Sequence, residues 1–511
     1  IGITDTGIDS DHPEVVGRVK HNYADPIDGI DNDNDGYIDN FSGWDTGADD
    51  NDPEVYGHHG NQVTGCASIN TDNEGDVAAP GFNTMILPVK ICNNSGFLIG
   101  SYEGIVYAAD HGADIINCSW GGAGSFNQYH QDVVNYATNN KGALVVAAAG
   151  NSNNDSYFYP ASYANVVSVG GTDQEDKMWV SSASEGSQYN DMVDVVAPSY
   201  NIVSIWKGGG SGLIGRGTSF AAPIVSGVLG LIKAKYPDAS PQKLTAILKA
   251  STDDIYGVEG NAAYEGMLGT GRVNAHNALL PITSPFITYI GHKTDDGFDQ
   301  NLSGGDTVLM LLDVKNHLGA TNNVSILLRS EDENSTVIDS ISFVSSIGSE
   351  QIETTESYFK FVVSPSVETN EKVLFSIEIT DGFNTFNDVF SVEVNKDYVD
   401  ITTNNIYLSF NNHGRIGYTL GGSGLGVEYK NSGSLISEMG VLLAVNSETV
   451  LSYEDYELLS FDQPVVNSTN SLSSNDAKIT VSGVLDDSWS SQPIGVEVHQ
   501  TAYAWDTENN Q

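Results

Sequence analysis

Cysteine is scarce in this sequence. Only Cys66, Cys92 and Cys118 occur among the 511 residues. Three cysteines cannot all pair with one another, so the chain is not a disulfide scaffold, and none of them has the spacing of a zinc site. Each lies among apolar neighbours, as in the run Ile115–Cys118. We therefore expect three buried free thiols.

Basic residues and long apolar runs are also scarce. The sequence has 21 Lys and Arg against 67 Asp and Glu, a formal net charge of -46. Such a charge repels nucleic acid and anionic membrane surfaces, and we expect neither as a partner. No stretch of about 18 apolar residues is present, so we expect no transmembrane helix. The acidity favours solubility and suits an extracellular medium.

The apolar pattern before residue 282 predicts an α/β domain. Short apolar runs alternate with helix-length segments, which is typical of a parallel sheet flanked by helices. The predicted strands are Thr84–Ile91, Ile115–Ser119, Ala143–Ala148 and Val166–Gly170. The predicted helices are Gly100–His111, Gln128–Asn139, Ser219–Tyr236 and Pro241–Ser251. We assign residues 1–282 to this domain.

After residue 282 the pattern predicts all-β structure. Short alternating runs separated by turn residues are typical of sandwich-like domains. The predicted strands are Thr307–Val314, Val324–Arg329, Tyr358–Val363 and Val373–Thr380. We expect a β-sandwich at 283–398 and a second β-rich domain at 399–511, incomplete at its C-terminus. Because the chain begins with Ile1 on a predicted core strand, we expect a fragment or processed form of a longer precursor.

Three short segments carry residues of one kind of chemistry. Asp5 ends a predicted buried strand, at the edge where open α/β sheets collect site residues. His59 begins a predicted helix, and Ser219 lies at the N-terminus of another, after glycines that allow a sharp turn. A serine becomes a good nucleophile when a base lies in hydrogen-bond reach and an acid orients that base. Each residue alone is more often structural, but together they supply all three types in the order Asp, His, Ser.

The three segments resemble the signature boxes of the subtilase (subtilisin-like, S8) family. Residues 5–7 match its Asp-Ser/Thr-Gly box. Residues 59–65 match its His-Gly-Thr-x-Val-Ala-Gly box, with Asn61 and Thr64 as departures. Residues 217–223 match its Gly-Thr-Ser-Met-Ala-x-Pro box, with Phe220 in place of Met. The resemblance runs from Ile1 to about Leu280 and implies a subtilisin-like fold.

The resemblance also implies an activity, that of a secreted serine endopeptidase acting on protein or peptide substrates. Ser219 would form the acyl-enzyme, His59 would act as general base, and Asp5 would orient His59. His58 competes for the role of base, but the register of the box selects His59. His12 precedes Pro13 and matches a structural His-Pro of the family.

Oxyanion and substrate residues follow from the same resemblance. Asn151 matches the family's Ala-Ala-Gly-Asn segment and would donate its side-chain amide to the oxyanion, beside the Ser219 N–H. Taken alone, Asn after glycine is more often a turn residue. The segment Ser119–Gly122 resembles the edge strand that pairs with extended substrate. A large residue at position 158 would shorten the main specificity pocket. The implied substrate-binding residues are Ser119, Trp120, Gly121, Gly150 and Phe158.

An acidic loop has the spacing of an EF-hand. Carboxylates occupy its positions 1, 3, 5 and 9, and glycine occupies position 6. Position 12 is Ser42, so the usual bidentate ligand is missing or comes from elsewhere in the chain, with Asp45 as one candidate. Acidic loops are often merely solvated, but these charges repel one another strongly without a cation. Subtilases often bind structural calcium, and we expect Ca²⁺ here. The expected ligands are Asp31, Asp33, Asp35, Tyr37 and Asp39.

The remainder of the chain, 283–511, presents no triad and no metal-ligand cluster in its sequence. Ser364–Thr380 resembles part of an immunoglobulin-like module of bacterial secreted proteases. Asn404–Gly426 resembles a β module of Bacteroidetes-type surface proteins. Such modules imply substrate binding, cell-surface attachment or spacing, and the sequence does not choose among them. We expect a secreted or cell-surface protein. The alternative is an adhesin or binding protein whose protease domain is inactive, but a complete catalytic set argues against it.

Overall fold

The chain divides into two compact units, Ile1–Ser284 and Pro285–Gln511. The computed structural model describes residues 1–73, 77–297 and 302–402, and beyond residue 402 a series of shorter segments. Part of Asn404–Gly426 lies outside the described residues. No helix among the described residues is long and apolar enough to cross a membrane.

The elements of the first unit follow the alternation that its sequence predicts. The strands are β1 (Gly2–Asp5), β2 (Trp44–Asp45), β3 (Leu87–Lys90), β4 (Ile115–Cys118), β5 (Gly122–Ala123), β6 (Leu144–Ala148), β7 (Phe158–Tyr159), β8 (Val166–Thr172), β9 (Val180–Ser182), β10 (Glu185–Gly186), β11 (Val195–Pro198), β12 (Tyr200–Trp206) and β13 (Gly210–Arg216). The α-helices are α1 (His59–Ala67), α2 (Ser101–Asp110), α3 (Gln128–Asn135), α4 (Thr218–Lys235), α5 (Pro241–Ala250) and α6 (Ala275–Ala278). A π-helical turn, Tyr136–Asn140, continues α3.

Seven of these strands form a parallel sheet in the order β11-β8-β6-β4-β1-β3-β2. Strand β1 is internal, and every residue of β1, β3, β4 and β6 is buried. Helix α4 packs on β4, β6, β8 and β11, while α2 packs on β1 and β3. Burial on both faces explains why these strands are continuous apolar runs rather than alternating ones. The α/β prediction is confirmed.

The ends of two helices are set by local chemistry. Helix α5 begins after Ser240, whose hydroxyl accepts the Lys243 N–H at 3.2 Å, and Pro241 occupies its first position. Helix α4 begins directly after Gly217, whose φ of +142° lies in a region that side-chain-bearing residues rarely adopt. The chain therefore turns sharply just before Ser219, as the sequence predicts.

The second unit begins with two packed antiparallel sheets. One has the order β14-β15-β20-β17, with β19 paired to β15, and the other has the order β18-β16-β21-β22. Inward residues of both sheets, including Phe359, Phe361 and Phe375, share one hydrophobic core. The strands are β14 (Ile287–Asp295), β15 (Thr307–Asn316), β16 (Thr321–Ser330), β17 (Ser335–Asp339), β18 (Ile341–Ile347), β19 (Ile352–Thr354), β20 (Phe359–Val363), β21 (Glu371–Thr380) and β22 (Thr385–Val394).

The last part of the second unit is also antiparallel where it is described. Ile401, Phe410, Val481 and Ala504 form a separate apolar cluster. The strands are β23 (Tyr398–Ile401), β24 (Ile406–Asn411), β25 (Arg415–Gly417), β26 (Val427–Tyr429), β27 (Ser434–Ile436), β28 (Glu438–Gly440), β29 (Leu443–Asn446), β30 (Thr449–Leu451), β31 (Glu457–Val466), β32 (Ile479–Asp486) and β33 (Glu497–Ala504). The all-β prediction for this half is confirmed, and the boundary at residue 398 stays a prediction.

Candidate active site

Asp5 and His59 meet at the carboxyl end of β1. The Asp5 side chain is 3% exposed, and its Oδ1 lies 2.8 Å from His59 Nδ1 and accepts the Thr6 N–H at 2.7 Å. The close approach of α1 to the loop that follows β1 depends on Gly60, because a Cβ there would lie 1.9 Å from Gly7 O. The carboxylate fixes a proton on His59 Nδ1, so Nε2 is left as the basic atom.

The same contact shifts the pKa of His59. The negative charge of Asp5 raises the pKa of His59 above its ordinary value of 6.5, desolvation opposes this rise, and the hydrogen bond to Asp5 adds to it. The imidazolium is thus stabilised by its partner, which is what a general base needs when it takes up a proton.

Ser219 is hydrogen-bonded to Ser119 at a point where the backbone hydrogen bonds of α4 are interrupted. Pro223 lies four residues after Ser219 and has no N–H, so the Ser219 carbonyl lacks its usual helical donor. The Ser119 hydroxyl donates to that carbonyl instead, at 2.8 Å. In return, Ser219 Oγ donates to Ser119 O at 3.3 Å. The Ser219 N–H belongs to the first turn of α4, where N–H groups have no intrahelical acceptor.

Asn151 follows β6 and is oriented by Thr218. Its Oδ1 accepts the Thr218 N–H at 2.8 Å and the Thr218 hydroxyl at 2.9 Å. With its oxygen engaged in this way, the side-chain amide offers Nδ2 as a donor. Asn151 and Ser219 thus present an amide donor and a backbone donor from two neighbouring segments.

All four predicted catalytic residues line one cavity of about 310 Å³. The predicted substrate residues line it too, and they are Ser119, Trp120, Gly121, Gly150 and Phe158. The Phe158 ring lies so close to two glycines that a Cβ on Gly121 would be 2.5 Å from its Cε1, and one on Gly150 would be 3.0 Å from its Cγ. A second cavity, of about 540 Å³, shares Leu98, Trp120 and Gly121 with the first.

Two carboxylates of the acidic loop lie beside a third, Asp25, which precedes the loop. Oxygen atoms of Asp25, Asp31 and Asp33 lie within 4.8 Å of one another. Asp25 is fully buried and accepts the backbone N–H groups of Asn32 and Asn40, each at 2.9 Å. Desolvation raises the pKa of Asp25, but these hydrogen bonds outweigh it and hold the pKa below its ordinary value. Clustered carboxylate oxygens are the donor set that Ca²⁺ prefers, so these residues fit the metal.

The other expected ligands, Asp35, Tyr37 and Asp39, lie outside this cluster and make different contacts. Asp35 Oδ2 lies 2.8 Å from His111 Nε2 and accepts the Asn40 side-chain amide at 3.0 Å. Asp39 Oδ1 accepts the N–H groups of Asp28 and Gly29 at 2.9 and 2.8 Å. The Tyr37 ring packs edge-on against Trp44 and Tyr107. Ligation by Asp35, Tyr37 and Asp39 stays a prediction.

Two residues that take part in these arrangements, Asp25 and Thr218, were not predicted in these positions from the sequence. Asp25 lies six residues before the acidic loop, where no EF-hand position falls. Thr218 is visible as part of the serine box, but nothing in its spacing indicates that it orients Asn151. The short motif Asp25-Pro26 is a common turn signal, so it points to a loop rather than to a metal.

The Asp5–His59 contact predicts the titration of His59. We expect its pKa to lie above 6.5 in the folded Ser219→Ala protein and to fall in Asp5→Asn, because the charge that stabilises the imidazolium is lost. The interaction of Asp5 with protonated His59 contributes fully to the stability of the folded protein below the ordinary pKa of histidine. This contribution is lost as the pH rises through the pKa of His59 in the folded protein. Histidine ring shifts followed by NMR measure this, and Asp11→Asn, which removes an exposed carboxylate, is the control. An equal pKa with and without the Asp5 charge contradicts the prediction.

Comparison with known proteins places the first unit in one family. The model of Peptidase S8, the subtilase family, matches residues 1–274. Thermitase of Thermoactinomyces vulgaris is 36% identical over 283 residues, covering 55% of this chain and 88% of that protein. The thermophilic serine proteinase of Bacillus sp. (strain AK1) is 35% identical over 281 residues, covering 55% of this chain and 61% of that protein. A protease structure from Pseudoalteromonas arctica PAMC 21717 aligns with 54% of this chain and 88% of its own, at 26% identity and a TM-score of 0.45. The chain belongs to the subtilase family of serine endopeptidases.

Proposed function

We propose that this chain is a secreted subtilisin-like endopeptidase that cleaves peptide bonds through an acyl-enzyme on Ser219. The observation that carries the proposal is the Asp5–His59 hydrogen bond of 2.8 Å beside a cavity that Ser219 and Asn151 also line. A nucleophile, an oriented base and an amide donor on one cavity are the requirements for acyl transfer. The second unit would add a binding, attachment or spacing role.

The proposed reaction has two halves. Ser219 Oγ turns from the Ser119 carbonyl to His59 Nε2, gives up its proton there, and attacks the scissile carbonyl carbon. Asn151 Nδ2 and the Ser219 N–H donate to the resulting oxyanion. His59 then protonates the leaving amine, and the acyl-enzyme forms. Water, deprotonated by His59, hydrolyses the ester and restores the serine.

The substrate would bind as an extended strand along the cleft. Gly121 and Gly122 have no side chains to obstruct a peptide backbone, and the segment from Ser119 leads directly to them. Trp120 is held by its Nε1, which donates to Thr4 Oγ1 at 3.0 Å. Because Phe158 lies against Gly121 and Gly150, we propose that the pocket for the residue before the scissile bond takes small side chains.

Removal of the nucleophile tests the proposal directly. Ser219→Ala should lower peptide hydrolysis by at least about 10⁴-fold, because the reaction loses the atom that attacks the carbonyl. The melting temperature should change little, since the substitution removes one long hydrogen bond. Ser211→Ala, at an exposed serine of β13, is the matched control and should keep full activity.

A peptidyl phosphonate provides the second measurement. It should label the intact chain at Ser219, as mass spectrometry of the labelled peptide would show, and should leave Ser219→Ala unlabelled. A folded chain that neither reacts with the phosphonate nor cleaves any peptide would support the alternative, a binding protein with an inactive protease domain.

Phe158→Ala tests the proposed pocket. Loss of the ring should raise kcat/KM for substrates with Phe before the scissile bond by about tenfold or more, relative to substrates with Ala there. The measurement is cleavage of a peptide library by both proteins, and Phe97→Ala, which removes a 70% exposed ring, is the control. A wild-type preference for large aromatic residues would contradict the small-pocket proposal.

We also propose that Asp25, Asp31 and Asp33 hold structural Ca²⁺. Three clustered carboxylates repel one another unless a cation balances them, and the burial of Asp25 strengthens that repulsion. When bound, the ion would supply positive charge that fixes the loop between β1 and β2. It would take no part in peptide hydrolysis.

Calcium removal should lower stability. At a free calcium concentration of a hundred times Kd, binding contributes about 2.7 kcal/mol, which a chelator would remove. Asp25→Asn should lower the melting temperature in calcium and should respond less to the chelator, whereas Glu259→Gln, at an exposed acid, should behave as wild type. Differential scanning calorimetry with and without calcium measures both effects. Equal melting temperatures for the wild-type protein in calcium and in chelator would contradict the proposal.

A further inference from the structure

A bidentate ion pair lies beside the segment that leads into Ser219. Arg216 Nε donates to Glu185 Oε1 at 2.9 Å, and Arg216 Nη2 donates to Glu185 Oε2 at 2.8 Å. Both side chains are exposed, at 41% and 42%. Two parallel hydrogen bonds fix the relative position of the two groups more closely than a single contact does.

On the Glu185 side, the pair connects to the segment that carries Asn151. Glu185 and Gly186 form β10, which pairs with β9. The Gly186 N–H donates to Asn151 O at 3.2 Å, and the Asn153 N–H donates to Gly186 O at 3.0 Å. The Asn153 side-chain amide donates to Ser182 O at 2.9 Å. The hairpin that holds Glu185 is therefore fastened to the backbone of the proposed oxyanion donor, Asn151, and to Asn153 two residues after it.

On the Arg216 side, the pair connects to the nucleophile. Arg216 lies between Gly215 and Gly217, whose φ angles are +112° and +142°. Two glycines give this stretch high conformational freedom. The pairing of Arg216 with Tyr200 between β12 and β13 and the hydrogen bond from the Gly217 N–H to Ser199 O, at 2.8 Å, restrict the backbone, and the ion pair adds a side-chain restraint. Beyond Gly217, the Thr218 N–H and hydroxyl both donate to Asn151 Oδ1.

These contacts close a ring. It runs from the Asn151 backbone through Gly186 to the Glu185 carboxylate, across to Arg216, along the chain to Thr218, and back to the Asn151 side chain. We propose that Glu185 and Arg216 are positioning residues that hold Asn151 and Ser219 at the separation required to bind the oxyanion. This inference rests on the proposed function.

The expected effect is on the rate more than on folding. An exposed ion pair contributes little to stability. Oxyanion donors, in contrast, stabilise the transition state only when they already point at the developing charge, and small misplacements are costly. Loss of the pair should therefore lower kcat about two- to fivefold and leave KM unchanged.

The test compares four proteins as full chains with a peptidyl p-nitroanilide. They are the wild type, Arg216→Gln, Glu185→Gln, and the exchange Glu185→Arg with Arg216→Glu. The single variants should lose kcat, and a peptide boronic acid, which forms a tetrahedral adduct, should bind them more weakly by the same factor. Binding of a neutral peptide amide of the same sequence, which carries no negative charge on its terminal carbonyl oxygen, should not change. The exchange should recover most of the loss.

Salt and a matched pair provide controls. At about 1 M salt, where surface charges are screened, the wild-type kcat should fall toward that of the variants, whose own kcat should change less. Lys177→Gln breaks the exposed ion pair between Lys177 Nζ and Glu175 Oε2, which lie 2.9 Å apart shortly before β9. This variant should keep the wild-type kcat.

The outcomes separate this inference from the proposed function. A wild-type chain without turnover or phosphonate labelling overturns both. An active wild type with unchanged kcat and boronate affinity in both single variants overturns the positioning role alone. The positioning role is also overturned if the single variants lose kcat and melting temperature together and the charge exchange restores neither kcat nor the melting temperature.

Discussion

The site depends on one contact, the hydrogen bond between Asp5 and His59. It forms because β1 is an internal strand of a parallel sheet, which places Asp5 at the carboxyl edge with almost no exposure to water. A buried carboxylate there both orients the imidazole and raises its pKa. Helix α1 can come close enough only because residue 60 is glycine. The position of β1 in the sheet and the close approach of α1 therefore together determine the contact that raises the pKa of His59.

Much of this arrangement could be predicted from the sequence. The strand and helix runs of the first unit are long and strongly patterned, and their observed bounds differ by a few residues from those predicted. The Asp, His and Ser boxes each carry local signals, such as the glycines around Ser219, that restrict the backbone before any tertiary contact forms. Residues with such signals, Asp5, His59 and Ser219, lie together on one cavity, and their catalytic roles stay a prediction.

What escaped prediction depends on contacts distant in sequence. Asp25 joins Asp31 and Asp33 through the path of a loop, and Asp35, which matches the loop spacing equally well, is paired with His111 from the end of α2. Thr218 bonds to Asn151 across 67 positions, and Glu185 to Arg216 across 31. Spacing rules describe neighbours along a chain. They contain no information about which distant polar group will reach a given carboxylate or amide.

The proline four residues after Ser219 has a mechanical consequence. Because Pro223 has no N–H, the Ser219 carbonyl accepts from the Ser119 hydroxyl instead, so the backbone of the proposed nucleophile is bonded to the start of the segment that would line a bound peptide. A peptide that shifts this segment by a few tenths of an ångström would move the serine with it. Binding of a peptide in the cleft and alignment of the Ser219 oxygen would then depend on the same movement. A peptide that binds out of position would leave this oxygen misaligned, and its cleavage would be slow.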